Sequence, residues 1–181
     1  MQLYLIRHPA PRVATGICYG RTDLALAEAA ALAAARILPQ LPAQLPVFTS
    51  PLRRCRQLAD ELHPAVRSDA RLQEMDFGAW EMRPWNEIQR EALDGWAADP
   101  LGYTPPQGES VAALQARVLD FLAETHRAGI ERAVLVTHAG VMKVILGQVQ
   151  SLPPRRWMAL QFDYESVVCA SLDPSAIAAR T

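Results

Sequence analysis

In Leu3-Tyr4-Leu5-Ile6-Arg7-His8, an apolar run leads directly into an arginine and a histidine. A short, near-continuous apolar run is typical of a strand that is covered on both faces. Open α/β sheets bind ligands at the carboxyl ends of their strands. The stretch therefore predicts a buried strand that delivers a guanidinium and an imidazole to a ligand-binding edge.

A second strand, near the other end of the chain, ends in the same way. Residues 133–137 (Ala-Val-Leu-Val-Thr) continue into His138-Ala139-Gly140, and the chain has four histidines in all. Either histidine alone would be interpreted as a polar residue at a strand end. Because both follow apolar strands, we expect them at the same sheet edge. The pair indicates one site built from distant parts of the chain and suited to phosphoryl chemistry.

Arg54 is a third candidate for this edge. It follows the apolar residues 47–49 and lies in the first turn of the next predicted helix, on its apolar side. Its neighbours Arg53 and Arg56 suit a solvated helix face, which is the alternative interpretation for Arg54 as well. Together with Arg7 and two imidazoles, Arg54 would bind a dianion through charge-assisted, bidentate hydrogen bonds.

Strand and helix signals alternate along the chain. This order favours an α/β fold, namely a three-layer αβα sandwich whose sheet is mostly parallel with an antiparallel edge strand. The predicted strands lie at residues 2–6, at 47–49, from 66, at 133–137 and at 166–172. The predicted helices lie at 26–38, from Pro51 after the N-cap Ser50 to about 62, from the N-cap Ser110 to about 128, and at 140–149.

Residues 76–106 differ in composition from the rest of the chain, because they hold three of its four tryptophans. We expect one or two short helices here, inserted over the sheet edge as a small lid within a single domain of residues 1–181. Tryptophans in such a segment more often pack locally. Over a site, however, an apolar lid would suit a substrate with a ring attached to its phosphate.

Composition limits the classes of function. The formal net charge of −1 argues against a nucleic-acid partner. The three cysteines match no metal or redox spacing, so we expect reduced thiols in a cytoplasmic protein. The first apolar run stops at Arg7, unlike a signal peptide, and no apolar stretch approaches the length of a membrane span. We expect no metal, no other cofactor and no membrane partner, and either a monomer or a homodimer.

Six segments of the chain form a recognisable series. They are Leu5-Ile6-Arg7-His8, Tyr19 to Leu26, Ser50 to Gln57, Leu72-Gln73-Glu74 followed by Phe77 to Glu81, Gly108-Glu109-Ser110, and Val136 to Val141. In this order they resemble the histidine phosphatase superfamily, also called the phosphoglycerate mutase-like family. Each segment is weak alone, but together they span nearly the whole chain. The resemblance implies a phosphoglycerate mutase-like fold and a phosphoryl-transfer enzyme that needs no metal.

The resemblance also implies roles for the residues at the predicted edge. His8 would be the catalytic nucleophile that forms a phosphohistidine. Arg7, Arg54 and the second catalytic histidine, His138, would hold the phosphoryl oxygens. A neutral imidazole is available for attack near pH 7, and the rest of such a reaction is positioning and charge stabilisation.

Glu74 would be the catalytic acid, which protonates the leaving oxygen and then activates water, a contribution on the order of 10²–10⁴-fold. Glu81 and Glu109 are rivals for this role, and an ordinary surface carboxylate is the alternative for Glu74 itself. The Leu-x-Glu spacing favours Glu74. Further candidates for substrate binding are Tyr19, Arg21, Trp80 and Ser110.

The chain departs from the family pattern in its first loop. The family usually has glycine after the catalytic histidine, where this chain has Pro9. Proline lacks an N–H group, so one phosphate donor is lost, and it keeps His8 extended. Pro11 and Ala14 replace the usual threonine and asparagine, and Met82 stands where glycine is common. Because the nucleophile and both arginines are retained, we expect activity.

The predicted function is hydrolysis of a small-molecule phosphate monoester. The chain is shorter than typical phosphoglycerate mutases, which favours hydrolysis over transfer between positions of one substrate. Residues 11–23 most resemble the α-ribazole phosphatase-like branch, which acts on α-ribazole 5′-phosphate in cobalamin biosynthesis. One alternative is a broad-specificity phosphatase or a phosphoglycerate mutase-like enzyme. A protein phosphohistidine phosphatase is another, but the insertion at residues 76–106 argues against it. The last is a phosphate-binding module without catalysis.

Overall fold

The computed structural model of the chain, which describes residues 1–173, is built around a five-stranded sheet. Its strands are β1 (Gln2–Arg7), β2 (Val47–Thr49), β3 (Val66–Ser68), β4 (Arg132–Thr137) and β5 (Val167–Ser171). They lie in the order β3-β2-β4-β1-β5, with β1 to β4 parallel to one another. β5 pairs antiparallel with β1, from Gln2 opposite Ser171 to Ile6 opposite Val167. The predicted antiparallel edge strand is therefore confirmed.

Helices fill the connections between these strands. They are α1 (Ala30–Ile37), α2 (Arg53–Leu62), α3 (Arg90–Ala98), α4 (Val111–Arg127), α5 (Ala139–Val149) and α6 (Pro154–Trp157). Short 3₁₀ turns lie at Leu38–Gln40, Ala70–Leu72, Gly78–Trp80 and Trp85–Glu87. Within residues 1–173, no helix has the length and apolar character needed to cross a membrane.

The helices cover both faces of the sheet, so the predicted αβα sandwich is confirmed. Leu3, Leu5 and Leu135 belong to one hydrophobic core with the buried residues of α4 and α5. Ile6 and Val136 belong to another with the buried residues of α1 and α2. Because successive side chains of a strand point to opposite faces, a strand covered on both sides needs apolar residues at every position. This explains the unbroken apolar runs of β1 and β4.

The first helix begins later than predicted. α1 starts at Ala30, whereas helical composition begins at residue 26. The backbone of residues 25–27 instead pairs with the loop after β1: Arg12 N donates to the Ala25 carbonyl, and Ala27 N donates to the Ala10 carbonyl. A tertiary contact therefore overrides the intrinsic helix propensity of this alanine-rich segment.

The second helix also begins later than predicted. α2 starts at Arg53 with Leu52 as its N-cap, so the prediction of Ser50 as N-cap and Pro51 as first helical residue is wrong. The Ser50 hydroxyl accepts a hydrogen bond from Leu52 N at 3.3 Å and lies 2.8 Å from Nε2 of His138. Ser50 is therefore engaged by a site residue. The prediction of Ser110 as N-cap of α4 is confirmed, because its hydroxyl accepts from Ala113 N at 3.1 Å.

The tryptophan-rich insertion contains α3 and two of the 3₁₀ turns, in agreement with the expected short helices. It forms a small hydrophobic cluster around Trp80, which is 3% exposed, and Cys18 from the first loop. Trp85 and Trp96 stack with their rings 6.1 Å apart and nearly parallel, and Phe77 lies edge-on to both. This aromatic cluster gives the insertion a rigid inner surface.

Candidate active site

A cavity of about 910 Å³ lies at the carboxyl ends of the parallel strands. Arg7 and His8 from the end of β1 line it, together with Ala139 and Gly140 from the start of α5. Much of the remaining lining is apolar, and it includes aromatic residues of the insertion. The aromatic lining residues are Tyr19, Phe77, Trp85, Trp96, Trp157 and Tyr164. The sheet edge indicated by the two strand-end histidines therefore holds a cavity.

His8 is held in the protonation state that a nucleophile needs. Its ring is 2% exposed, and its Nδ1 lies 2.7 Å from the Pro9 carbonyl oxygen, which can only accept. Nδ1 therefore carries the proton, and the lone pair of Nε2 is left at the opposite side of the ring. Burial and the Arg54 guanidinium lower the pKa of His8 to about 3. The substitution of the usual glycine by Pro9 leaves this carbonyl acceptor in place.

Arg54 lies against the His8 ring and has no exposed surface. Its Nε donates to Nε2 of His8 at 3.2 Å, while Nη1 donates to the Thr22 carbonyl at 2.7 Å and Nη2 to the Gly20 carbonyl at 2.5 Å. Two carbonyls thus fix the plane of the guanidinium. The buried cation keeps a positive potential at Nε2 of His8.

Glu81 organises the loop that supplies these carbonyls. Its carboxylate accepts hydrogen bonds from the backbone N–H groups of Gly20, Arg21 and Thr22, each at 3.0–3.1 Å, and from the Thr22 hydroxyl. Burial would raise the pKa of Glu81, but these donors hold it below its usual value. The carboxylate is occupied by the loop and is not among the cavity-lining groups, which excludes it as the acid.

His138 is the second imidazole of the site, and its ring centre lies 5.0 Å from that of His8. It is completely buried, with Nε2 2.8 Å from the Ser50 hydroxyl and 3.4 Å from the Cys55 sulfur. Burial is the main cause that keeps the pKa of His138 well below its usual value, and the Arg54 guanidinium lowers it further. Burial also raises the pKa of the Cys55 thiol, so this sulfur stays protonated.

Arg7 brings a second guanidinium to the cavity. Its Nη1 donates to the Phe162 carbonyl at 2.6 Å, and its guanidinium carbon lies 3.9 Å from the centre of the Tyr164 ring. The Arg7 Nε is buried and has no hydrogen-bond partner among residues 1–173. A buried N–H without a partner is costly, so an incoming phosphoryl oxygen would satisfy it.

Glu74 also lines the cavity. One carboxylate oxygen accepts from Gly140 N at 3.0 Å, and the other accepts from Met75 N at 2.9 Å. The first contact seats the carboxylate at the N-terminus of α5, where negative charge is favoured. A Cβ at Gly140 would collide with the Glu74 carboxylate, so a side chain there would force the carboxylate to move.

Arg117 holds the segment that carries Glu74. Its guanidinium donates to the carbonyls of Gln73 and Glu74 at 2.7 and 3.0 Å. It also pairs with Glu109, whose oxygens lie 2.7 and 2.9 Å from Arg117 nitrogens. Burial would raise the pKa of Glu109, but Arg117 and Arg21 hold it below its usual value. Glu109 is thus a structural partner of Arg117, and Glu74 alone of the three candidate acids lines the cavity.

The four candidates for substrate binding occupy different places. Tyr19 lines the cavity, and its hydroxyl lies 2.6 Å from that of Tyr164. Arg21 pairs with Asp76 and Glu109 at 3.6 and 3.4 Å. Trp80 packs inside the aromatic cluster, and Ser110 caps α4. The structure therefore brings Tyr19 to the cavity, whereas Arg21, Trp80 and Ser110 lie outside its lining.

Sequence reasoning missed three residues of the site. Tyr164 stacks on Arg7, and its ring centre is 5.7 Å from that of His8. Ser50 contacts His138, although its position suggested a helix cap. Lys143 lines the cavity from α5. A sequence signal existed for Lys143, because it follows Gly140 by three residues and so shares its helix face. Among residues 1–173, no group of three or more His, Cys, Asp or Glu side chains could hold a metal ion.

Comparison with known proteins identifies a family for the sequence and the fold of this chain. A sequence profile of the histidine phosphatase superfamily (branch 1) matches residues 3–181. The structure of a mycobacterial glucosyl-3-phosphoglycerate phosphatase superposes with a TM-score of 0.81 at 28% identity, and the match covers 93% of this chain and 88% of that one.

Two relatives by sequence carry different names. The adenosylcobalamin/α-ribazole phosphatase of Salmonella typhimurium is 26% identical over 165 residues, which cover 84% of this chain and 81% of that protein. A probable phosphoglycerate mutase of Klebsiella pneumoniae is 33% identical over 117 residues, which cover 59% of this chain and 54% of that protein. The chain thus spans about half the length of the Klebsiella relative.

Proposed function

This chain belongs to the histidine phosphatase superfamily, and we propose that it hydrolyses a phosphate monoester through a phosphohistidine at His8. The observation that carries the proposal is the state of the His8 ring. Its Nδ1 proton is committed to the Pro9 carbonyl, so a neutral Nε2 lies beside Arg54 at the end of a cavity that also contains Glu74. An imidazole in this state is ready to attack phosphorus.

In the first half-reaction, Nε2 of His8 forms a bond to phosphorus while the bond from phosphorus to the leaving oxygen breaks. The arginines Arg7 and Arg54, with His138, stabilise the charge on the phosphoryl oxygens. Two donors are available to this step: the N–H of Arg54 that contacts His8 in the free site, and the Nε–H of Arg7, which has no partner among residues 1–173. Glu74 donates a proton to the leaving oxygen.

In the second half-reaction, the leaving alcohol departs and water takes its place. Glu74, now a carboxylate, removes a proton from this water as its oxygen bonds to phosphorus. The bond between phosphorus and His8 Nε2 breaks, inorganic phosphate leaves, and the neutral imidazole is restored. The backbone N–H groups of Met75 and Gly140 keep the Glu74 carboxylate in place between the two steps.

The apolar part of the cavity supports a leaving group with a ring. Phe77, Trp85 and Trp96 present aromatic surface to the cavity, and such surface binds planar apolar groups. α-Ribazole 5′-phosphate has such a leaving group, and the Salmonella relative is named for this activity. A broad-specificity phosphatase and a phosphoglycerate mutase-like enzyme would use the same groups around His8. The relative rates on different phosphate monoesters must therefore distinguish these functions from an α-ribazole phosphatase.

The test is phosphate release from a panel of monoesters in the presence of a chelator. The panel holds α-ribazole 5′-phosphate, 3-phosphoglycerate and an aryl phosphate, and the variants are His8→Ala and, as matched control, His63→Ala. We expect chelator-resistant hydrolysis that His8→Ala abolishes and His63→Ala retains. Equal turnover by His8→Ala would refute the phosphohistidine mechanism. Phosphate binding without turnover of any ester would instead favour a non-catalytic module.

A further inference from the structure

Lys143 is the single lysine of a chain that otherwise uses arginine for its 18 Lys and Arg residues. It lies on α5 and lines the same cavity as Arg7, His8 and Glu74. Neither half-reaction proposed above uses it. The cavity therefore holds a cation that the phosphoryl chemistry leaves unassigned.

The ammonium group of Lys143 has unused hydrogen-bonding capacity. Its Nζ donates to the Met158 carbonyl at 3.1 Å, which engages one of its three N–H groups. Among the ion pairs of residues 1–173, none involves Lys143, whereas Arg21, Arg71 and Arg117 each pair with a carboxylate. A cation half-buried without a carboxylate partner is an unsatisfied charge that an anionic ligand would neutralise.

The surroundings of Lys143 strengthen this interpretation. The same cavity wall includes Val144, Trp157 and Met158, which offer no anion, and among the described lining residues Glu74 is the one carboxylate. Burial lowers the pKa of Lys143, the Glu74 carboxylate raises it, and the Arg7 guanidinium lowers it further. Lys143 therefore shares one cavity with two charged groups of the proposed phosphoryl site, Glu74 and Arg7.

The position of Lys143 along α5 sets where a ligand would meet it. Lys143 is three residues beyond Gly140, whose N–H holds the Glu74 carboxylate, and three helical residues rise by about 4.5 Å. The leaving oxygen of a bound ester lies at Glu74 in the proposed mechanism. A substituent that continues from this oxygen along α5 would therefore reach the ammonium group.

We propose that Lys143 binds a second anionic group, a carboxylate, on the leaving group of the substrate. This proposal rests on the phosphatase function above and narrows its substrates to monoesters whose alcohol is itself an anion. The leaving group of α-ribazole 5′-phosphate carries no carboxylate, so Lys143 favours phosphorylated hydroxy acids over it. The aromatic wall thus predicts a ring in the leaving group, and Lys143 predicts a carboxylate on it. The two predictions can be tested separately.

The test uses two pairs of esters that differ by a carboxylate: phenyl phosphate with 4-carboxyphenyl phosphate, and glycerol 3-phosphate with 3-phosphoglycerate. The variants are Lys143→Met, of similar length without charge, and Arg155→Met, which removes an exposed cation outside the cavity lining. The readout is kcat/KM for the carboxylated ester divided by kcat/KM for the neutral ester of the same pair. General effects on phosphoryl transfer cancel in this ratio. We expect Lys143→Met to lower this ratio about tenfold or more in at least one pair, mainly through KM, and Arg155→Met to preserve it.

An unchanged ratio in both pairs would overturn the proposal. A loss of the same size for the neutral and the carboxylated ester would also overturn it, because Lys143 would then act on Glu74 or on the phosphoryl group. If the wild-type protein hydrolyses neither these four esters nor α-ribazole 5′-phosphate, the proposed function fails instead. Chemical labelling then tests the role of Lys143. An amine-reactive reagent is applied to His8→Ala with either ester present, and the labelled peptide is measured by mass. The proposal requires 4-carboxyphenyl phosphate to protect the single lysine better than phenyl phosphate.

Discussion

The Nε of Arg54 lies 3.2 Å from Nε2 of His8, so the guanidinium contacts the very nitrogen that would attack phosphorus. The other two nitrogens of the guanidinium are bound to the carbonyls of Thr22 and Gly20. Arg54 is therefore fixed in three directions, and its position relative to His8 cannot be reproduced by a flexible ammonium group.

Arg54→Lys tests this contact. Lysine keeps the charge but cannot bridge two carbonyls and His8 at once, so we expect kcat/KM for phosphate release to fall by about 10²-fold or more. The matched control is Arg53→Lys, since Arg53 is the exposed neighbour whose side chain pairs with Asp23 at 3.5 Å. If the two variants retain similar activity, the contact between Arg54 and His8 has no catalytic role.

The two buried imidazoles make the stability of the fold sensitive to acid. The pKa of His8 in the folded protein is about 3, against 6.5 when unfolded, and that of His138 is also lowered. Between these values the unfolded chain binds more protons than the folded one. The neutral, buried histidines therefore stabilise the folded state fully above about pH 6.5. As the pH falls towards 3, the free energy of unfolding decreases by up to about 1.4 kcal/mol per pH unit for each histidine.

Denaturant unfolding at pH 7, 6 and 5 measures this effect, before most carboxylates begin to titrate. We expect the free energy of unfolding to decrease across this range and the decrease to be smaller in His8→Gln. His63→Gln should keep the wild-type slope, because the His63 ring contacts the backbone of residue 65 and is not one of the two buried rings. A flat profile between pH 7 and pH 5 would contradict the neutral, buried state of both rings.

The sheet edge and the groups around His8 could be predicted because they depend on simple patterns. Parallel strands covered on both faces must be apolar throughout, so β1 and β4 stand out, and residues that follow them are brought to one edge. Arg54 follows from helical spacing, because it lies one turn before Leu58 and therefore on the buried face of α2.

Other parts of the site depend on contacts that carry no periodic signal. Tyr164 lies in the irregular segment between α6 and β5, so only the folded chain shows that it stacks on Arg7. Ser50 precedes a helix in sequence, and its contact with His138 bridges 88 positions of the chain. Arg21 and Trp80 have side chains suited to substrate binding, but their carboxylate and aromatic neighbours bind them instead.

Glu81→Gln tests whether the Glu81 carboxylate holds the loop of residues 20–22, whose carbonyls bind Arg54. The carboxylate accepts from three backbone N–H groups of residues 20–22 and from Phe77 N at 3.0 Å. An amide replaces one acceptor oxygen by a donor, which leaves N–H groups facing N–H groups. We expect a loss of about 1–3 kcal/mol in the free energy of unfolding and a fall in kcat, because the carbonyls that hold Arg54 move with this loop.

Glu87→Gln is the matched control, since the Glu87 side chain is exposed. It should change neither property. Stability lost without any change in kcat would show that Glu81 supports the fold but does not position Arg54.

Gly140→Ala tests whether the seat of Glu74 at the start of α5 matters for catalysis. A Cβ at this position would collide with the Glu74 carboxylate, which must then move away from Gly140 N. We expect kcat to fall on the order of 10²-fold, within the range for loss of a general acid, while the circular dichroism spectrum stays the same. The cause can be separated from a general disturbance of the site by a double-mutant cycle on phosphate release. In a Glu74→Ala background the carboxylate is absent, so adding Gly140→Ala should cost little further activity. Additive losses would contradict this expectation, because the alanine would then act on His138 or α5 rather than through Glu74.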